Sequence, residues 1–225
     1  MNAVDFHSDI ASAFGNRYQQ SADFRERFAV WTSLFNIYVL PGAHVLDAGC
    51  GTGVFSRYLA SRQCRVLGID GSAEMIRLCQ QQSTVPAATF RVAILPLTEV
   101  PAEAPFDVIV SSSVLEYVPD LTQTLQTFDQ FLRPGGYLML SLPNRRSIYR
   151  RLERLAYTLI GRPPYLKHVV QYATPGSVAT QLPAGAYQLL TQQSFGGTNT
   201  MARLLRNCLP ATYADTLFVV VFQKK

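Results

Sequence analysis

The chain has 225 residues, 48% of them hydrophobic and 16% charged, with a formal net charge of +5. That length and apolar share suit one α/β domain with a substantial core and are short for two ordinary domains. No uninterrupted apolar run reaches the roughly 18 residues of a membrane span, and the first fourteen residues lack the basic start and apolar middle of a signal peptide, so a cytoplasmic protein is expected.

Residues 1–40 carry Phe14, Tyr18, Phe24, Phe28, Trp31 and Phe35, a pattern that predicts two helices covering a sheet that begins after them. The first strand, 44–47, ends at Asp47, where Gly49, Gly51 and Gly53 alternate. Such a run lets the backbone turn tightly beside a ligand, and a helix near 54–62 then aims its N-terminus at that ligand. The second strand, 65–69, is closed by Asp70, a carboxylate at a carboxyl strand edge that can accept from both hydroxyls of a ribose. Ser72, followed by Glu74 and Met75, caps a helix over 72–82. Strands at 89–93 and 106–111 follow, then a helix over 121–132 stopped by Arg133-Pro134-Gly135-Gly136. Strands at 136–142, 186–192 and 216–223 bring the total to seven. Their continuous apolar runs, separated by amphipathic stretches, point to a doubly wound sheet buried on both faces.

The glycine spacing argues against a dinucleotide fold, because counting Gly-x-Gly-x-x-Gly from Gly49 puts Val54 where the third glycine belongs. Cys50, Cys64, Cys79 and Cys208 are scattered without zinc-type pairing, so reduced thiols and no metal site are expected. From Arg145 to His168 the chain carries +6, and the remainder −1. With no Lys-rich tail, no zinc motif and no extra binding domain, nucleic acid is disfavoured as a partner. An anionic small substrate or a peripheral membrane contact through 145–168 accounts for the charge.

Asp-Ala-Gly-Cys-Gly-Thr-Gly at 47–53, with Asp70 after it, resembles the first two motifs of class I S-adenosylmethionine-dependent methyltransferases. The resemblance implies a Rossmann-like seven-stranded sheet whose last strand inserts antiparallel between the fifth and sixth. It implies S-adenosyl-L-methionine as cofactor, with Asp47 and the backbone of Gly49, Gly51 and Gly53 framing the methionine portion and Asp70 the ribose. Met75 would pack near adenine. Many relatives have an acid where this chain has Val92, which leaves adenine to the backbone of Ala93 and Ile94. Ser111 and Ser112 stand where relatives line the cofactor channel, and Tyr18 either closes over the methionine carboxylate or packs between the covering helices.

The stretch after the fifth strand repeats Ile148, Leu152, Leu155 and Leu159 at helical spacing between arginines, an amphipathic cover. Its placement is similar to that of the membrane-associating insertion of the ubiquinone-biosynthesis (UbiG-like) O-methyltransferases, with Leu142-Pro143-Asn144-Arg145 and His168 in comparable positions. Val169-Val170-Gln171 departs from that pattern in lacking an acid after the His. His168 and Glu116 are the candidates for a general base. The expected organisation is a single domain over 1–225: a helical cover at 1–40, a cofactor-binding core at 41–143, a substrate cover at 144–183 and C-terminal strands at 184–225. The expected activity is methyl transfer to a small molecule, on oxygen of an aromatic or lipid-like acceptor. Nitrogen or carbon acceptors, and a cofactor-binding protein without turnover, stay open.

Overall fold

The computed structural model describes residues 4, 5, 8, 20–82, 86–198 and 200–225. In chain order it forms α1 (Ala22–Tyr38), β1 (His44–Ala48), α2 (Val54–Ser61), β2 (Arg65–Asp70), α3 (Ala73–Gln82), β3 (Ala88–Val92) and β4 (Phe106–Ser111). These are followed by α4 (Leu121–Phe131), β5 (Leu132–Pro143), α5 (Ile148–Ile160), α6 (Pro175–Ala179), β6 (Tyr187–Phe195), α7 (Thr200–Cys208), α8 (Ala211–Ala214) and β7 (Leu217–Lys224). The sheet order is β3-β2-β1-β4-β5-β7-β6. β7 runs antiparallel to both β5 and β6, while the other pairs are parallel. The doubly wound, seven-stranded arrangement is the one expected.

Both faces are covered, which is why the strands read as unbroken apolar runs. On one side Leu46, Ile109, Leu140 and Phe222 pack with Phe128 and Leu125 of α4. On the other, Val45, Val110 and Val221 meet α1 and α2, where Phe35 sets its ring edge-on to Phe55 at 5.6 Å beside the fully buried Trp31. Ser72 caps α3 as its sequence predicts, its hydroxyl accepting from Met75 N at 3.2 Å. Asp120 does the same for α4 through Gln123 N.

Two expectations change. The Arg-Pro-Gly-Gly stretch is not a turn ahead of a short strand; β5 runs through it from Leu132. The pairing with β4 shifts between Phe106 and Val108, Gly135 takes φ +74°, and the Asp107 carboxylate bonds both Arg133 Nε and His44 N, so the glycines are absorbed as a bulge. The C-terminal region is not strands alone: α7 and α8 stand between β6 and β7, tied down by Arg206 to Asp215, Glu26 and the Gly196 carbonyl. Of the two helices expected over 1–40, α1 is seen; the region of the other, with Tyr18, lies outside the described residues.

Candidate functional site

The carboxyl ends of β1, β2 and β4 face one crevice of about 340 Å³. Its floor is the glycine loop. Gly49 and Cys50 donate their N–H groups to the Ile69 carbonyl at 2.8 and 2.9 Å, which draws the loop against β2. Gly49 sits at φ +81°, and a β-carbon there would collide with Val114 of the loop after β4. Any side chain is therefore excluded on two grounds, backbone and space.

Asp70 is held by that same loop. Its Oδ2 accepts from Gly51 N and its Oδ1 from Ser72 N, each at 2.9 Å. Burial raises its pKa while the two N–H groups oppose the rise. A carboxylate so held keeps a free lone pair on each oxygen, and Asp70 lines the crevice. Asp47 behaves differently: it is buried beneath the loop, accepts from Ser56 Oγ at 2.6 Å, and is pushed up to about 6 by burial. It orients α2 under the glycines and does not line the crevice.

Of the residues singled out in the sequence, Gly49, Gly51, Asp70, Met75, Ala93, Ile94 and Ser112 share this crevice. Gly53, at φ +74°, is the N-cap of α2 and stands behind the lining. Ser111 is wholly buried and turned away, its hydroxyl donating to the Ala48 carbonyl at 3.0 Å. Neither Glu116 nor His168 is among the lining residues. Among the lining residues that the sequence did not single out, three carry polar side chains: Arg27 from α1, Ser113 and Tyr117. Nothing in the chain separates Arg27 from its neighbour Arg25, since only the packing of α1 decides which one faces inward.

Glu116 sits in a 3-10 turn, Leu115–Tyr117, that forms the wall on the β4 side. Burial pushes it up to about 7, against the pull of Arg27 and Arg150, and its Oε2 has no hydrogen-bond partner. Its carbonyl accepts from Val170 N at 2.8 Å and Gln171 N at 3.1 Å, while Gln171 Nε2 donates to the Val118 carbonyl. These bonds stitch the cover to the wall. The cover is anchored further by Arg150, which donates to Glu153 Oε2 and the Tyr165 hydroxyl, while that hydroxyl donates to Glu153 Oε1 at 2.6 Å.

The polar atoms left over say what kind of ligand fits. Ser112 Oγ, Ser113 Oγ and Arg27 Nε are buried without hydrogen-bond partners among the described residues, and all three belong to residues of the crevice. Buried polar groups are rarely left so. A molecule offering ribose hydroxyls to Asp70, an aromatic base to the slot of Met75, Ile94 and Leu95, and a charged amino-acid tail to the loop and Arg27 would fit this lining and leave the two serine hydroxyls to a second ligand. An adenosyl sulfonium has each of these parts.

A profile of the methyltransferase-domain family matches residues 16–186. The ubiquinone biosynthesis O-methyltransferase of Xanthomonas campestris pv. campestris is 30% identical over 154 residues, covering 67% of this chain and 64% of that protein. A malonyl-[acyl-carrier protein] O-methyltransferase of Enterobacter lignolyticus is 32% identical over 154 residues, 64% of this chain and 59% of that one. The chain thus spans somewhat under two thirds of the curated relatives it matches. Among solved structures, the N-methyltransferase NodS of Bradyrhizobium japonicum WM9, in complex with S-adenosyl-L-homocysteine, shares the fold with a TM-score of 0.72 at 21% identity, covering 100% of this chain and 99% of that one. With the glycine loop, the strand-end acid and the sheet order all in place, the chain belongs to the methyltransferase-domain family.

Proposed function

We propose that this protein methylates an oxygen atom of a small aromatic or lipid-like acceptor. The observation that carries the reading is Asp70, fixed by Gly51 and Ser72 beside a crevice whose remaining buried polar atoms lack partners. The oxygen acceptor is supported by the names of the relatives at 30% and 32% identity, both O-methyltransferases. When bound, the cofactor supplies an electrophilic methyl group on a sulfonium. The chain's own work is alignment, which is worth about 7–11 kcal/mol in well-oriented systems.

In this reading Asp70 accepts from the ribose hydroxyls. Gly49 and Gly51 lie along the amino-acid tail, with Arg27 available to its carboxylate, and Met75, Ala93 and Ile94 flank the adenine. Ser112 faces the reacting end. Asp47 and Gly53 act through the shape of the loop. Glu116 works as a positioning residue, because its carbonyl joins the wall of the crevice to the cover. Residues 144–183 form the acceptor's roof, and the basic outer face of that roof is suited to an anionic membrane surface.

The test is transfer of labelled methyl from S-adenosylmethionine to small-molecule extracts, with the labelled product identified by NMR of its methyl carbon to tell ethers and esters from amines. Label recovered in an ether or ester supports the proposal. Label found only in amines, or S-adenosylhomocysteine bound without any turnover, overturns it.

A further inference from the structure

At the end of β4 the chain turns through Ser113 in the left-handed region, at φ +56°. Among the described residues only Gln63, exposed in the turn after α2, shares a positive φ without being glycine. A side chain in that conformation costs about 1–2 kcal/mol that glycine would not. The surroundings enforce it: Ser113 N donates to the Oγ of the fully buried Ser141 on β5 at 3.0 Å, and Val114 fills the space that Gly49 leaves open. The hydroxyl carried there is buried, lines the crevice and bonds to nothing among the described residues, as does its neighbour on Ser112. Strain and an unmade hydrogen bond are thus concentrated in one side chain.

Its place is across the glycine loop from the strand-end acid. Asp70, Met75 and Ile94 belong to the β2 and β3 side of the glycine loop. Ser113 lies on the β4 side, next to Tyr117 and the turn to which the cover is stitched.

We propose that Ser113, assisted by Ser112, positions the methyl acceptor by donating a hydrogen bond to its oxygen. This rests on the oxygen-acceptor reading above. In the transfer, the acceptor's O–C bond forms as the C–S bond breaks and the electron pair of that bond stays on sulfur; a hydroxyl acceptor gives its proton to solvent, and a carboxylate acceptor has none to lose. Ser113 exchanges no proton; it fixes the direction in which the oxygen presents its lone pair.

Two substitutions divide strain from hydroxyl: Ser113→Ala keeps the backbone cost and removes the oxygen, whereas Ser113→Gly removes both. Titration calorimetry with S-adenosylhomocysteine, thermal unfolding, and kcat and KM for labelled-methyl transfer to protocatechuate and to dodecanoate are the readouts. Both variants should bind S-adenosylhomocysteine within twofold of wild type and show a KM at least tenfold higher for the probe that wild type methylates. Ser113→Gly should also unfold about 2–4 °C higher than wild type while Ser113→Ala does not. A tenfold loss of S-adenosylhomocysteine affinity in Ser113→Ala would assign the hydroxyl to the cofactor, and an unchanged KM would leave it without a role; either overturns the proposal. If wild type binds S-adenosylhomocysteine but methylates neither probe, the acceptor assignment falls while the cofactor site stands. If it binds none, the cofactor reading fails first.

Discussion

Asp70 holds two backbone N–H groups while keeping an acceptor free on each oxygen, so its loss acts on the ligand and on the loop together. Asp70→Ala is expected to weaken S-adenosylhomocysteine binding by about 1–3 kcal/mol, as a charged acceptor disappears from the ribose side. Calorimetric titration measures this directly, and an unchanged affinity would remove Asp70 from the site. Glu116 makes a pH-dependent prediction. Its folded value, about 7, lies above the 4.5 of an ordinary glutamate, so the folded state holds the proton more tightly than the unfolded chain. The group is neutral in both states well below pH 4; the cost accumulates between about pH 4.5 and 7, where the unfolded chain has ionised and the fold has not, and is complete above 7. Glu116→Gln should therefore raise the unfolding midpoint at pH 8 relative to wild type and change it little at pH 4. The difference is worth up to about 3 kcal/mol. Asp70 was legible because a strand end and its acid are adjacent in sequence. The choice among Ser111, Ser112 and Ser113 was not: in a strand buried on both faces, hydrophobicity gives no phase to tell which serine faces inward.

The cover helix α5 shows what pattern reveals and what it hides. Its 3.6-residue repeat of Ile148, Leu152, Leu155 and Leu159 announced the helix, and Ser147 caps it through Arg150 N. None of its residues is buried, and Leu155 and Leu159 are 57% and 74% exposed. Apolar side chains beside Arg151, Arg154 and Arg162 suit the proposed contact with an anionic bilayer. Replacing Leu155 and Leu159 together with Glu should abolish co-sedimentation with phosphatidylglycerol-containing vesicles and leave S-adenosylhomocysteine affinity within twofold. Undiminished co-sedimentation would dismiss the membrane role. Arg150 is unsuited to such a test, although the sequence groups it with the others. It turns inward to Glu153 and Tyr165, with a side chain only 15% exposed, and its removal would leave a buried carboxylate unpaired. That inward turn depends on Tyr165 in the following 3-10 segment, a partner no local spacing discloses. The helices α7 and α8 escaped notice similarly, as their short amphipathic stretch lies between two strands that dominate the apolar pattern.

Over the whole molecule, the crevice draws residues from α1, the glycine loop, β2, α3, the exit of β3 and the β4 loop. A ligand bound there favours the folded state over the unfolded chain by mass action, by about 2.7 kcal/mol at a hundred times its Kd. S-adenosylhomocysteine at that excess should raise the unfolding midpoint by about 5–10 °C, while NAD at the same concentration should not. A shift with NAD alone would reinstate the dinucleotide reading that Val54 opposes. The order of the sheet itself came from resemblance, not periodicity, since alternation marks strands without ranking them. Once the order is fixed, one detail of its edge acquires a wider meaning. Arg145 N donates to the Ala173 carbonyl and Ala173 N to the Pro143 carbonyl, with Asn144 and Ala173 bridged in parallel. The polypeptide departs and comes back through a single doorway, so both ends of the intervening excursion are fixed at one point of the sheet. In the proposed reading, the part that meets the acceptor is thus let into the sheet at one point, apart from the strands that carry Asp70.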